Sequence, residues 1–421
     1  MNHKPPLLLL SLMVLSTLVC NLMAPPPTPT PTPTPSPIPP TATPQPPPTP
    51  SEPCVDPLGC IAFPSGAAIP IGVALDFSGP TASMGKEMRG GIEIAVEDFG
   101  LFSGRQVILI FEDSACSTDG GQAAAEHLAA QNGLIGIIGT TCSSAAVTAR
   151  EVVTNAGLVM ISPSNTASVL TLPENYTPGY LRVAPNDLWQ GELVAEFAFR
   201  ALGAHTMATI SDGSPYSDTL QQAACKRFGE LGGQCVTQQT IAIDGGNASA
   251  VLPNIAAYSP EVLFLPLFDD AARAVIRQKA SYPTLQKTIL LGSDSLAASP
   301  TFLSSMGSRV EGMYFTNYTT AANEAFNRRY REKYGSQPTT IFSLLAYDAT
   351  TLLLNAARQV SIEHEGILYI PRQALRDALL RTNGYPGFSG TLTCSPTGDC
   401  GNRGVLFVQR VQNGTLVRVY P

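Results

Sequence analysis

From Ile69 onward the chain alternates short apolar runs with longer helix-periodic stretches, and no other feature restricts its fold as much. Ile69 to Leu75 reads as a strand that ends in the loop Gly79-Pro80. Met88, Ile92, Ala95, Val96 and Phe99 then fall on one face of a helix from about Gly85 to Phe99. A strand at Val107 to Phe111, a helix at Gly120 to Gln131, a strand at Gly133 to Gly139, a helix at Ser143 to Asn155 and a strand at Leu158 to Ser162 follow. This β-α-β-α-β order predicts a parallel sheet covered by helices. A second block repeats the pattern: helix Gln190 to Leu202, strand Thr206 to Ser211, helix Ser217 to Leu231, strand Cys235 to Ile241 and helix Ala248 to Ala257. Strand Val262 to Leu267, helix Ala271 to Ala280 and strand Thr288 to Leu291 complete it. The expected class is α/β, with two doubly wound parallel-sheet lobes. Ligands bind beyond the carboxyl ends of such strands, so loops from both lobes would build a shared cleft.

The amino-terminal region is of another kind. Met1 to Lys4 carries one positive charge and Leu7 to Val19 is an apolar run of 13 residues, too short to span a bilayer and suited to a signal-peptide core. Cys20 follows where a bacterial lipoprotein is cleaved and acylated, which predicts an exported protein held on the outer face of the cell membrane by lipid, or a periplasmic one. Val19 departs from the small residue usual before such a cysteine, so a secretory signal cut further on and an uncleaved anchor stay open. Residues 24–53 hold 16 of the 37 prolines of the 421-residue chain, interleaved with Thr and Ser. Such a tract (21–53 in all) favours extended polyproline II and, at ~3 Å per residue, could reach about 90 Å as a stalk. The roughly 370 residues beyond it suit two lobes better than one core.

Composition removes several function classes. The net charge of −7 argues against nucleic acid, which needs a basic face. The cluster Arg328, Arg329, Arg331 and Lys333, interleaved with Tyr330, Glu332 and Tyr334, reads as the solvated face of a helix. Neither a Gly-x-Ser-x-Gly elbow nor a phosphate-binding loop occurs, and no His clusters with Cys or Ser, which argues against an enzyme. Asp113, Asp212 and Asp269 stand near strand ends, where single carboxylates are ordinarily turn residues. His3, His127, His205 and His364 are scattered and there is no CxxC, so neither a metal nor a cofactor is expected.

Nine cysteines suit an oxidising compartment, and setting Cys20 aside leaves eight. Short intervening loops favour Cys54 with Cys60, Cys225 with Cys235, and Cys394 with Cys400. Cys116 and Cys142 remain, the pair with least support from the sequence itself.

Three polar segments directly follow strands. Gly139-Thr140-Thr141-Cys142-Ser143 leads into a helix, whose first-turn N–H groups and partial positive charge suit a carboxylate. Ser143 could cap that helix or donate to a ligand. Ser162-Pro163-Ser164-Asn165-Thr166 offers hydroxyls and main-chain groups beside it. Asp294, after Gly292-Ser293 in the second block, could neutralise an ammonium or cap the next helix. Tyr216 and Phe268 are candidate aromatic walls or ordinary packing residues.

Over about residues 67 to 421 the chain resembles the leucine/isoleucine/valine-binding proteins of bacterial ABC importers, a branch of the type I periplasmic binding proteins. The resemblance is carried by Phe77-Ser78-Gly79-Pro80 with the helix from Gly85, Glu112-Asp113-Ser114-Ala115-Cys116, and Gly139 to Ser143. Met160-Ile161-Ser162-Pro163, Asp187-Leu188-Trp189-Gln190-Gly191 and Tyr347-Asp348 complete it. It implies a non-catalytic solute-binding component that captures an amino acid, branched-chain or otherwise apolar, and delivers it to ABC permease subunits. It also implies a Cys116–Cys142 disulfide, contacts from Ser143 and Thr166 to the ligand α-carboxylate, and assistance from main-chain groups around Ser164 and Asn165. Asp294 stands where the family has an acidic residue, commonly Glu, for the α-ammonium, and Tyr216 matches a tyrosine of the opposite lobe. Met84 replaces a Trp and Phe268 a Tyr of better-known members; methionine adapts to several apolar shapes. Three hinge strands are implied near Val183 to Pro185, Met313 to Thr316 and Phe388 to Thr391. They divide the chain into a first lobe of 67–184 and 316–387 and a second of 185–315 and 388–421. A ligand-sensing receptor domain, and a binder of a short amide or urea, are the alternatives.

Overall fold

The computed structural model describes residues 53–319, 323–403 and 406–421; the signal segment, Cys20 and residues 21–52 of the expected linker lie outside the described residues. Five parallel strands form one sheet, in the order Val107–Asp113, Ile69–Leu75, Ile137–Gly139, Met160–Ser162, Tyr180–Arg182. Ile69–Leu75 is buried along its whole length, as expected for a strand covered on both faces. Ile69, Ile71, Val73 and Leu75 share a core with Met88 and Ile92 of helix Ala82–Phe99 and Leu353 of helix Phe342–Val360. Ala74 and Ile137 face the other way, toward Ala125 and Leu128 of helix Thr118–Ala129 and Ala146 of helix Ser143–Asn155. The period of two along the strand thus places helices on both sides of the sheet.

A second sheet repeats the order with Gln234–Thr240, Thr206–Ser211, Val262–Leu265, Ile289–Gly292 and Tyr314–Tyr318, then adds antiparallel Leu406–Gln412 and Thr415–Tyr420. Val262 and Phe264 pack with Leu220 and Phe228 of helix Pro215–Glu230, while Leu263 and Leu265 meet Val251 and Val275 of helices Ala248–Ala256 and Asp269–Lys279. The strand expected to reach Leu267 stops at Leu265, because Pro266 has no N–H to give the ladder. The helix expected from Gln190 starts at Asp187, where the Asn186 side chain accepts from the Leu188 N–H, and its last turn, Phe197–Ala201, widens to π geometry. The strand expected over Gly133 to Gly139 is only Ile137–Gly139.

The chain crosses between the sheets after Arg182, after Tyr318 and after Cys400, which corrects two of the expected hinges. Tyr314–Tyr318 pairs throughout with Leu406–Gln412, so residues 316–318 belong to the second sheet and the crossing comes later than Met313 to Thr316. Residues 388–400, expected on the second lobe, pack on the first. Asp348 accepts hydrogen bonds from the N–H groups of Phe388 (2.7 Å) and Ser389 (2.8 Å), and Leu392 and Cys400 enter the first lobe's core. The hairpin Tyr385–Gly387 with Gly390–Leu392 pairs only with itself, so it cannot serve as a crossing strand.

Disulfides join Cys54 to Cys60, Cys116 to Cys142, Cys225 to Cys235, and Cys394 to Cys400. Asp56, inside the first of these loops, accepts from the N–H groups of Gln373 (2.9 Å) and Ala374 (3.1 Å), so the loop caps helix Arg372–Leu380. Among the described residues no helix is long and apolar enough to cross a membrane.

Helices Ala82–Phe99 and Phe342–Val360 meet at Gly91, where a Cβ would lie 1.9 Å from the Ser343 carbonyl oxygen. Alanine normally favours a helix over glycine by about 1 kcal/mol. Gly91→Ala is expected to reverse that sign and lower unfolding stability by about 3 kcal/mol through overpacking. Urea denaturation measures it; an unchanged or higher midpoint would mean that the helices can part without cost.

Candidate functional site

Strand order reverses between Ile69–Leu75 and Ile137–Gly139 in one sheet, and between Thr206–Ser211 and Val262–Leu265 in the other. Loops diverge at such points and leave a crevice at the carboxyl edge. The two crevices share a cavity of about 690 Å³, part of it open to solvent. The first lobe contributes Pro80, Thr81 and Met84 after its first strand, Thr141 and Ser143 after its third, and Ser164 and Thr166 after its fourth. Tyr216, Phe268, Asp294 and Ser295 enclose it from the second lobe, and Phe342 also reaches it.

Asp76, at the end of the first strand, sets the first-lobe wall. Its carboxylate accepts from Thr81 Oγ1 (2.7 Å), Ser114 Oγ (2.6 Å) and the Cys116 N–H (2.9 Å). Its own N–H donates to Thr141 Oγ1 at 2.8 Å. Asp76 therefore fixes three strand-end loops, two through its carboxylate and one through its N–H, and the Cys116–Cys142 bridge ties two of them covalently. Asp76, Cys116 and Cys142 lie close enough to suggest metal ligands, but the disulfide leaves no thiolate to bind one. Ser143 opens helix Ser143–Asn155 without capping it; its hydroxyl accepts from the Ala167 N–H at 3.2 Å and so holds the two polar loops together.

The opposite wall is acidic. Asp294 Oδ1 accepts from Tyr216 Oη (2.7 Å) and Gln190 Nε2 (2.8 Å). Gln190 Nε2 also donates to Thr316 Oγ1 (2.8 Å), and its Oε1 accepts from Tyr318 Oη (2.7 Å). Asp187 lies one helical turn before Gln190 and hence on the same face. Both its carboxylate oxygens are buried without a hydrogen-bond partner among the described residues. Burial first, and the Asp294 charge second, hold Asp187 well above its ordinary value of 3.8; the Thr166 hydroxyl, near but outside hydrogen-bond geometry, and the Arg182 charge pull the other way. Burial also raises Asp294, against the hydrogen bonds from Tyr216 and Gln190. Burial, followed by the Asp294 and Asp187 charges, keeps the Tyr216 phenol well above 10.0, so it remains a donor.

Met84, Ser143, Ser164, Thr166, Tyr216, Phe268 and Asp294 all line the cavity. Asn165 does not, and its expected place at the ligand is corrected. Its side chain donates to the carbonyls of Thr140 (3.0 Å) and Thr141 (3.1 Å), and its N–H donates to Ser162 Oγ (2.9 Å). The Ser164 N–H also turns to Ser162 Oγ, at 3.2 Å, so both main-chain donors are engaged within the loop. Asp187 and Gln190 had no role assigned from the sequence; an acid and an amide three residues apart at a helix start were the signal. Tyr216 stacks at a tilt on Phe268, ring centroids 5.6 Å apart. At the mouth Asp269 is paired with Arg273 (2.7 Å) and Ser299 (2.7 Å).

Residues 68–415 match the family model described as periplasmic binding protein. An amino acid binding protein of Pseudomonas aeruginosa is 29% identical over 215 residues, half of this chain and 57% of that protein, so the chain covers little more than half of that relative. A Leu/Ile/Val-binding protein homolog of Brucella melitensis is 25% identical over 338 residues, 79% of this chain and 89% of that protein. The crystal structure of a leucine binding protein from Thermotoga maritima superimposes with a TM-score of 0.72 at 24% identity, over 84% of this chain and 98% of that one. With its two doubly wound lobes around one cavity and a family match over most of its length, the chain belongs to the periplasmic binding proteins, which bind solutes and do not catalyse.

Proposed function

We propose that the protein is the extracytoplasmic solute-binding component of an ABC importer and captures an amino acid with an apolar side chain between its lobes. The observation that carries this reading is the opposition of two anchors across one cavity. On the first lobe, Ser143 and Thr166 stand beside the N-terminus of helix Ser143–Asn155, which suits a carboxylate. On the other side stand Asp294 and, behind the wall, the unpartnered Asp187, which suit an ammonium. A ligand with a carboxylate alone would bring the buried acids no cation to pair with. Met84, Phe268, Phe342 and Pro300 provide apolar surface for the side chain. Contacts to both lobes exist together only in the closed form, so binding draws the population toward closure, the state a permease would receive. Export, a lipid anchor at Cys20 and delivery to permease subunits belong to the same reading.

A thermal-shift screen against amino acids, short amides, urea and aromatic acids tests it. A ligand at ~100 times its Kd adds about 2.7 kcal/mol to stability. Aliphatic amino acids are expected to stabilise the protein, and Asp294→Asn to abolish the shift. Stabilisation by uncharged amides or by aromatic acids alone would overturn the amino-acid assignment.

The acid pair also predicts a pH dependence. Asp187 and Asp294 have folded pKa values raised above 3.8, so the empty protein holds protons that the unfolded chain releases. Its stability from these groups is present at low pH and is lost as pH rises through the raised values. An ammonium favours the ionised form of the acids around it, so binding releases protons and affinity falls as pH drops through that same range. Calorimetry in buffers of different ionisation enthalpy is expected to detect proton release with L-leucine, and Asp187→Asn to reduce it. Equal affinity from neutral pH down to 4 would refute the acid pair as the ammonium site.

A further inference from the structure

The Thr166 side chain lines the cavity, but its main chain is held from behind by residues outside it. Arg182, at the end of its strand, is fully buried. Its Nη1 donates to three successive carbonyls: Asn165 (3.3 Å), Thr166 (2.7 Å) and Ala167 (2.8 Å). Its Nη2 donates to Thr171 Oγ1 (2.8 Å) and to Asp399 Oδ2 (2.7 Å). The same Asp399 oxygen accepts from Asn186 Nδ2 at 2.7 Å. Asp399 lies in the loop closed by Cys394–Cys400, and that loop is fastened to the strand by Arg182 N–H to Gly398 O and Cys400 N–H to Arg182 O, both 2.9 Å. Three carbonyls can converge on a guanidinium only if the loop bends around it, which turns the Thr166 side chain toward the cavity. A buried guanidinium needs a counter-charge, and Asp399 is its only ion-pair partner among the described residues.

We infer that Asp399 is a positioning residue for the ligand site: acting through Arg182, it fixes the Asn165–Ala167 main chain and so sets the affinity contributed by Thr166. The affinity consequence rests on the amino-acid reading above, whereas the hold on the loop does not. Asp399 also neighbours two crossings between the lobes, through Asn186 and the segment after Cys400, so the loop and the hinge share one polar node.

Hydrogen exchange of the unliganded full chain and titration with L-leucine, in wild type, Asp399→Asn and Thr171→Val, test the inference. Thr171→Val removes a lighter contact of the same node and leaves the buried ion pair intact, so it remains informative if Asp399→Asn fails to fold. Both variants are expected to speed exchange in residues 163–171 while leaving the second-lobe segment 206–230 unchanged. Leucine affinity is expected to fall roughly tenfold in Asp399→Asn, within the range typical of coupling between sites, and less in Thr171→Val. Unchanged exchange in 163–171, a uniform rise across both lobes, or faster loop exchange with unaltered leucine affinity would each overturn it. If wild type itself does not bind leucine, the amino-acid reading is what fails, and the exchange pattern still decides for or against the hold on the loop.

Discussion

Buried charge, most of it beside the carboxyl ends of the parallel strands, is the constraint around which this molecule is arranged. Asp76, Arg182, Asp187, Asp294 and Asp348 are each at most 4% exposed, where an ionised group is costly unless it is paired or hydrogen-bonded. Four have partners, and each partnership fixes a loop. Asp76 gathers the turns after three strands, Asp348 holds the hairpin turn at Phe388 and Ser389, and Arg182 curls the Thr166 loop. Asp294 is aligned by Tyr216 and Gln190. Asp187 alone has no hydrogen-bond partner for its carboxylate. On the amino-acid reading, a ligand cation would supply the partner that this carboxylate lacks among the described residues.

Members of the hydrogen-bond networks around Arg182 and Asp294 lie, with Asp187, where the chain passes from lobe to lobe. Asn186, Asp187 and Gln190 follow the first crossing, Thr316 and Tyr318 precede the second, and Asp399 precedes the third. Gln190 binds both Asp294 and Tyr318, so the acid of the second lobe is linked to the start of one crossing and the end of another. Hinge movement absorbed by these few residues would disturb the site, and a filled site would resist hinge movement. On the proposed function, closure and recognition would therefore depend on one set of hydrogen bonds.

Electrostatics gives this linkage its direction. Burial raises both Asp187 and Asp294, and the Asp294 charge adds to the rise at Asp187, so both acids are biased toward their protonated forms. On the amino-acid reading, the ligand ammonium replaces that proton while the first lobe takes the carboxylate. The apolar walls add area but little discrimination among aliphatic side chains, since methionine at position 84 adapts its shape. On the same reading the charge pattern would select the class of ligand, and the pliable wall would leave the choice within it broad.

Much of this was legible in the sequence, because periodicity and strand-end chemistry are local. The β-α alternation, the strand Ile69–Leu75, and the polar segments at Ser143, Ser164 to Thr166 and Asp294 needed no partner to be recognised. The close cysteine pairs were also visible, as loop closure favours neighbours. What the sequence did not settle depends on contacts between distant segments. Asn165 and Thr166 are adjacent in the chain, yet one is turned inward by the carbonyls of Thr140 and Thr141 and the other toward the cavity. The third crossing could not be located from composition, because Asp348 and Arg182 decide that residues 388–400 stay with the first lobe. Sequence by itself determined which segments become strands and helices and which loops carry polar groups. Tertiary structure decided which of those groups face the cleft, because the cost of burying a charge depends on partners that only the assembled lobes bring within reach.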